Sequence, residues 1–175
     1  MYGLDILYKE HKNILNFTNI LEERLVKILE GDEVDTEFLK RGIYFIRNYA
    51  DTHHHQKEED ILFKKMIEEL GPLAEKLIRS GMLVEHDLAR FTTGELEKAV
   101  LAFEENPSTK NKLDILAHGM NYVYLLRRHA TKEDEVLYPF ADKNLSEEMK
   151  EIINKETKEY EERDKDFSQI EEFFI

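Results

Sequence analysis

His54-His55-Gln56-Lys57-Glu58-Glu59-Asp60-Ile61-Leu62-Phe63 is written a second time, 75 residues further on, as His129-Ala130-Thr131-Lys132-Glu133-Asp134-Glu135-Val136-Leu137-Tyr138. Each copy carries a His and, four residues later, a Glu. The same shift lays Glu10-His11 on Glu85-His86, Thr18 on Thr93, Leu21-Glu22 on Leu96-Glu97 and Glu30 on Glu105. The repeated unit is therefore a set of whole helices rather than a short tag. Two copies supply four imidazoles and two carboxylates, a donor set suited to a pair of metal ions.

Outward from these segments the pattern is helical throughout. Leu7, His11, Ile14, Thr18, Leu21, Leu25 and Ile28 recur at spacings of four and three, which marks one buried face of a helix. Met82, His86, Ala89, Thr93, Leu96, Val100 and Phe103 repeat that face with the His in the same slot. A second helix opens near Asp35-Thr36-Glu37, carries Leu39, Ile43, Ile46, Ala50, His54 and Glu58 along one side, and stops at Gly71-Pro72. Its counterpart opens at Ser108 and runs through His129 and Glu133 towards Pro139. Gly31-Asp32 and Asn106-Pro107 are short polar breaks of the kind that join antiparallel neighbours. Pro72 to Ser80 is expected to cross between the halves with a short helix. The charged stretch after Ser146, with Ile152, Ile153, Tyr160, Phe167 and Ile170 at helical spacing, predicts a fifth, more shallowly packed helix, with Phe173-Phe174-Ile175 as a frayed end or a contact surface.

The fold class predicted is all-α: an up-down four-helix bundle with internal duplication plus a C-terminal fifth helix. It forms a single domain over residues 1–175, with one helix pair in 1–71, a second in 72–143 and the last helix in 144–175.

Residues four apart on a helix lie about 40° apart around the axis and about 6 Å along it, so a His and the Glu after it address one site from adjacent turns. His11 or His86 would face each pair from the neighbouring helix. A lone His on an apolar face is usually a hydrogen-bonded core residue. Four at repeated positions, two of them with a Glu that would otherwise be a buried charge, point instead to metal. The metal ligands expected are His11, His54, Glu58, His86, His129 and Glu133, with the two Glu bridging. Two octahedral ions offer about twelve positions; four imidazoles, two bridging carboxylates and a bridging oxygen leave roughly two open. A mixed nitrogen and oxygen set with open positions suits iron, although Zn or Mn also accepts it.

Other polar residues near this set read differently. His53 and His55 have no counterparts, since Arg128 and Ala130 occupy the shifted positions, and are expected to be exposed or to sit behind the ligands. His55 lies about 100° around the helix from the ligand stripe. Lys57 and Lys132 are expected on a solvated face, and Glu10 and Glu85 as surface charges. His118 and Asn121 replace Ile43 and Ile46 of the first repeat and read as polar core residues, or as the lining of a gas-access route. Tyr49 and Tyr124 read as packing aromatics or as donors behind the ligands.

Composition excludes several classes. The 175 residues contain no Cys, which removes disulfides, iron–sulfur clusters and thiol chemistry by this chain alone. A formal net charge of −13 repels phosphate backbones, so nucleic acid is not an expected partner. No apolar run approaches the roughly 20 residues that span a bilayer, and Met1 to Lys12 has no signal-peptide character. A cytoplasmic protein with no membrane partner is expected.

The order lone His, His-x-x-x-Glu, lone His, His-x-x-x-Glu, together with "HHQKEEDILF" and "HATKEDEVLYP", resembles the hemerythrin-like, or HHE cation-binding, family over about Leu4 to Lys143. The resemblance implies a bundle holding two iron ions with a bridging oxo or hydroxo group. It implies binding of, or reaction with, dioxygen or a related diatomic such as nitric oxide. Reduction of nitric oxide or peroxide, and iron- or oxygen-responsive sensing, stand as alternatives. Two departures bear on activity. Oxygen-carrying members place a further His four residues after the third-helix His, where this chain has Arg90, which argues against reversible carriage. Those members also use an Asp five residues after the last His, here Asp134, whereas the internal repeat favours Glu133.

Overall fold

The computed structural model describes residues 1–163. The chain is all-helical, with no strand among the described residues and five helical rods. These are α1 (Tyr2–Glu30), α2 (residues 36–70), α3 (72–105), α4 (109–144) and α5 (Glu147–Arg163). No helix is long and apolar enough to cross a membrane among the described residues. Phe167, Ile170 and Phe173-Phe174-Ile175, expected on the last helix, lie outside the described residues.

The boundaries follow local chemistry. Gly31 closes α1 at φ 119°, a left-handed conformation that a side chain disfavours. The Asp35 carboxylate accepts from the Phe38 N–H at 2.9 Å and starts α2. Ser108 accepts from the Asn111 N–H at 3.2 Å and starts α4. The expected crossover at Pro72 to Ser80 is not separate from the third helix. Pro72–Leu77 runs through a π-helical stretch, Ile78–Met82, straight into Leu83–Glu105. Gly71 at φ 66° turns the chain, and Pro72, which needs no N–H partner in a first turn, begins the new rod.

Helix α4 packs between α1 and α3, and α2 packs on α1 and α3; α5 lies against α1 and α2. The buried side chains form two apolar clusters. One gathers Ile14, Phe17, Leu21, Ile43, Ala50, Ala89, Leu96 and Leu126. The other gathers Leu4, Leu7, Ile61, Phe63, Met82, Leu137 and Ile153. Each of the first four helices passes from one cluster to the other. Between them α1 places His11, α2 places His54 and Glu58, α3 places His86, and α4 places His129 and Glu133. A polar belt thus crosses the middle of an otherwise apolar interior, sealed from water on both sides.

Candidate metal centre

The belt is fully buried: His54, Glu58, His86 and Glu133 have no exposed surface, and His11 and His129 almost none. His54, Glu58 and Glu133 sit where the helical winding loosens, in π-helical segments Ile46–His55, Glu58–Phe63 and Glu133–Leu137, whereas His129 lies in the regular turn just before the last of them. Such wide turns are frequent at functional sites.

Each of the four imidazoles is held at its outer nitrogen by a carboxylate. His54 Nδ1 lies 2.8 Å from Glu10, His129 Nδ1 3.1 Å from Glu85, His11 Nδ1 2.6 Å from Asp134 and His86 Nδ1 2.7 Å from Glu59. Glu10 with Glu85, and Glu59 with Asp134, are related by the same 75-residue shift as the six belt residues. An ionised carboxylate only accepts, so Nδ1 carries the proton and Nε2 is the atom turned to the interior. Asp134 is therefore a clamp on His11, and Glu133 is the inward carboxylate.

At the centre, His11 Nε2 lies 3.2 Å and His129 Nε2 3.1 Å from Glu133. His54 Nε2 lies 3.6 Å and His86 Nε2 3.4 Å from Glu58. Proximity is not matched by hydrogen bonding. Nε2 of His54, His86 and His129, one oxygen of Glu58 and both of Glu133 have no hydrogen-bond partner. Each buried polar atom left in that state costs about 1–3 kcal/mol, so a converging set of them needs a common partner. A cation supplies one. Two groups of donors have ligand atoms within 4.8 Å of one another: His11, His54, Glu58 and Glu133, and His55, Glu58, His86 and His129. Glu58 belongs to both. A third group, Glu10, His53 and Glu161, already contains the Lys57 ammonium, which bonds to both carboxylates and neutralises them.

The protonation pattern follows from this crowding. Burial works against a charged His11, yet its bond to Asp134 and the Glu133 carboxylate beside it outweigh that and raise it to about 10. His86, opposed by burial in the same way, is raised to about 9 by Glu133 and Glu59. His54 is pushed down to about 4, chiefly by burial. Burial and then the neighbouring Glu133 charge push Glu58 well above the usual carboxylate range. Glu133 goes the other way, because His129, His11 and His86 outweigh its burial. Tyr138 donates its hydroxyl hydrogen to Glu58 and lies 3.3 Å from His11 Nε2.

Several expectations need correction. Glu10 is not a surface charge; it is buried between His54, His53 and Lys57. Glu85 is only 14% exposed and bonds to His129 and Lys132. Lys57 is buried rather than solvated, whereas Lys132 is exposed as expected. His53 is buried behind His54, 3.1 Å from Glu10, and His55 is buried within the second donor group. Arg90 is bound to Asp51 at 2.8 Å and to Glu59 at 2.7 Å, and so braces the carboxylate that holds His86. His118 is half-buried, and Asn121 is exposed and donates to Thr92 at 3.2 Å. A cavity of ≈ 70 Å³ instead lies between α2, α3 and α4, against His55 and Arg90. Tyr49 is buried and accepts from Asn13 at 2.9 Å, but Tyr124 is exposed. The signal for Glu10 and Glu85 was in the repeat, which carries them beside each lone His.

The clamps lead to a measurable expectation. Removing an outer partner of a ligand His typically lowers metal affinity 10–100-fold. Glu10→Ala and Glu85→Ala should each show a loss of that size in competition with a chelator. Wild-type affinity in both would mean that the imidazoles hold their orientation without them.

A family model for the hemerythrin HHE cation binding domain matches residues 2–141. Among curated proteins, uncharacterized protein Rv1995 of Mycobacterium tuberculosis and uncharacterized protein Mb2018 of Mycobacterium bovis are each 27% identical over 137 residues, 76% of this chain and 51% of the relative. The chain thus spans about half the length of the curated relatives it matches. No solved structure matches it. A family defined by cation binding accounts for six His and Glu side chains that converge in a sealed interior with most of their inward atoms unpartnered, and this chain belongs to it: the hemerythrin HHE cation-binding family.

Proposed function

We propose that this protein is a hemerythrin-like non-haem di-iron protein that binds or reacts with dioxygen or a related diatomic such as nitric oxide. His11, His54, His86 and His129 would be the terminal ligands, and Glu58 and Glu133 would each hold both of two irons that share an oxo or hydroxo group. The observation that carries the reading is the set of buried, partnerless Nε2 and carboxylate atoms facing one another between two apolar clusters. The opposite order in which successive helices traverse those clusters supports an up-down four-helix bundle with α5 added outside. It also supports one domain built of two helix pairs, residues 1–71 and 72–143, followed by 144–175. A cytoplasmic location and the absence of nucleic-acid or membrane partners are part of the same proposal.

Bound iron would supply redox chemistry and open positions for a small ligand. The chain's own residues do the rest. The four carboxylate clamps fix each imidazole with Nε2 inward. The apolar clusters exclude water. Tyr138 holds a proton beside Glu58 and His11. That hydroxyl favours a second reading, an enzyme that reduces nitric oxide or peroxide, because a proton donor inside the site is what such reductions consume.

Metal analysis of protein produced with iron should give about two irons per chain, and an optical spectrum should change on mixing the reduced protein with oxygen. One metal per chain, or none after reconstitution, would sink the dinuclear reading. A long-lived adduct released intact under vacuum would favour binding. Prompt oxidation, or consumption of peroxide or nitric oxide, would favour the enzyme.

A further inference from the structure

We infer that His55 is a fifth imidazole ligand of the centre and that the two metal positions are therefore unlike, one with three His and the other with two. The inference rests on the dinuclear reading above. His55 is buried, and neither of its ring nitrogens has a hydrogen-bond partner. The nearest acceptor at Nδ1, Asp51, stands 3.5 Å away, too far and too poorly aligned to satisfy it. Buried His side chains kept for packing normally have a partner. A ring nitrogen of His55 lies within 4.8 Å of ligand atoms of Glu58, His86 and His129. Its ring stacks on His86 at 3.8 Å between centroids and meets His129 edge-on at 5.5 Å.

Consecutive residues on a helix point about 100° apart, so against a single neighbouring helix only one of His54 and His55 could serve the centre. Helix α2, however, has two neighbours at the centre. His54 is turned to α1, where its ring lies 4.6 Å from that of His11, and His55 is turned to α3 and His86. Two directions roughly a right angle apart are what a helix needs to address both neighbours, so adjacent His residues reach different metals.

The duplication breaks at two positions of the site. His55 corresponds to Ala130, and Tyr138 corresponds to Phe63. At the His86 end the chain thus offers an extra imidazole and an apolar ring, Phe63 lying 5.7 Å from His86. At the His11 end it offers the Tyr138 hydroxyl. The two ends of the centre therefore differ in the donors they offer, three imidazoles at one and two at the other.

The test uses the full chain loaded with cobalt(II), whose paramagnetism shifts the N–H protons of ligated imidazoles. Wild-type protein with two cobalts should show five such signals, and His55→Ala and His55→Gln four each. Both variants should lose one of their two metals to a competing chelator at least tenfold more readily than wild type. In His55→Ala the vacated ring volume joins the neighbouring cavity, so free imidazole should bind there and restore the affinity. Four signals in wild-type protein, or unchanged chelator curves in both variants, would overturn the assignment while leaving the dinuclear centre intact. Wild-type protein that takes up one cobalt or none would overturn the dinuclear reading itself. Should a variant fail to fold, the wild-type count alone decides.

Discussion

Glu58→Gln should lose both metals in solution while making the metal-free protein more stable. Glu58 is the residue common to both donor groups, and its oxygens lie among His54, His86 and Tyr138. An amide of the same shape keeps the packing but offers only a weak, neutral donor, so neither metal retains its shared ligand. The loss should exceed the 10–100-fold expected when an outer partner such as Glu10 is removed. In the metal-free chain the sign reverses. Glu58 and Glu133 are both fully buried, and two carboxylates in so small a volume disfavour each other's charge, the effect that pushes Glu58 well above the usual range after burial itself. Gln removes that conflict. Chemical denaturation with and without iron should therefore show opposite shifts for the same substitution. A variant that holds two irons at wild-type affinity would eliminate Glu58 as a bridge; one that destabilises the metal-free form would mean that the carboxylate is satisfied within the protein.

Metal uptake should release at least two protons near pH 7, those of His11 and His86, and strengthen as pH rises towards 10. Ligation needs deprotonated donors, and the metal-free site holds protons on His11 up to about 10, on His86 up to about 9 and on Glu58 above its ordinary range. These must leave when metal enters. The effect on stability without metal runs the other way for the two raised His residues. Their folded values lie above the unfolded value of about 6.5, so their contribution is complete below that pH and is lost as pH climbs through 9 and 10. His54, depressed to about 4, contributes stability above about 6.5 that is lost as pH falls to 4. The metal-free protein should be weakened at both ends, and the gap between loaded and metal-free forms should widen in mild alkali. Metal present at a thousand times its dissociation constant adds about 4.1 kcal/mol. Calorimetry in buffers of different ionisation enthalpy counts the released protons; none at pH 7 would refute the protonation pattern. A loading affinity that is flat between pH 7 and 9 would do the same.

Local periodicity made much of this protein legible in its sequence. The apolar faces of α1, α2 and α3 run through the residues the 3.6-residue repeat selects, because a helix fixes the angle between its own side chains without help from neighbours. The His and Glu spacing, read twice over, picked out six side chains that the fold brings together in the interior. What tertiary structure decided is which neighbour each helix meets at each angle. Glu10 stands beside His11 and looks like a surface charge on α1 alone, yet α2 and α5 cover that side and bring His54, His53 and Lys57 onto it. His55 was about 100° off the ligand stripe of α2, but α3 lies in that direction. Lys57 is buried only because Glu10 and Glu161 converge on it from two other helices. A charged side chain's burial depends on a partner that is distant in sequence and close in space, and no single helix carries that information.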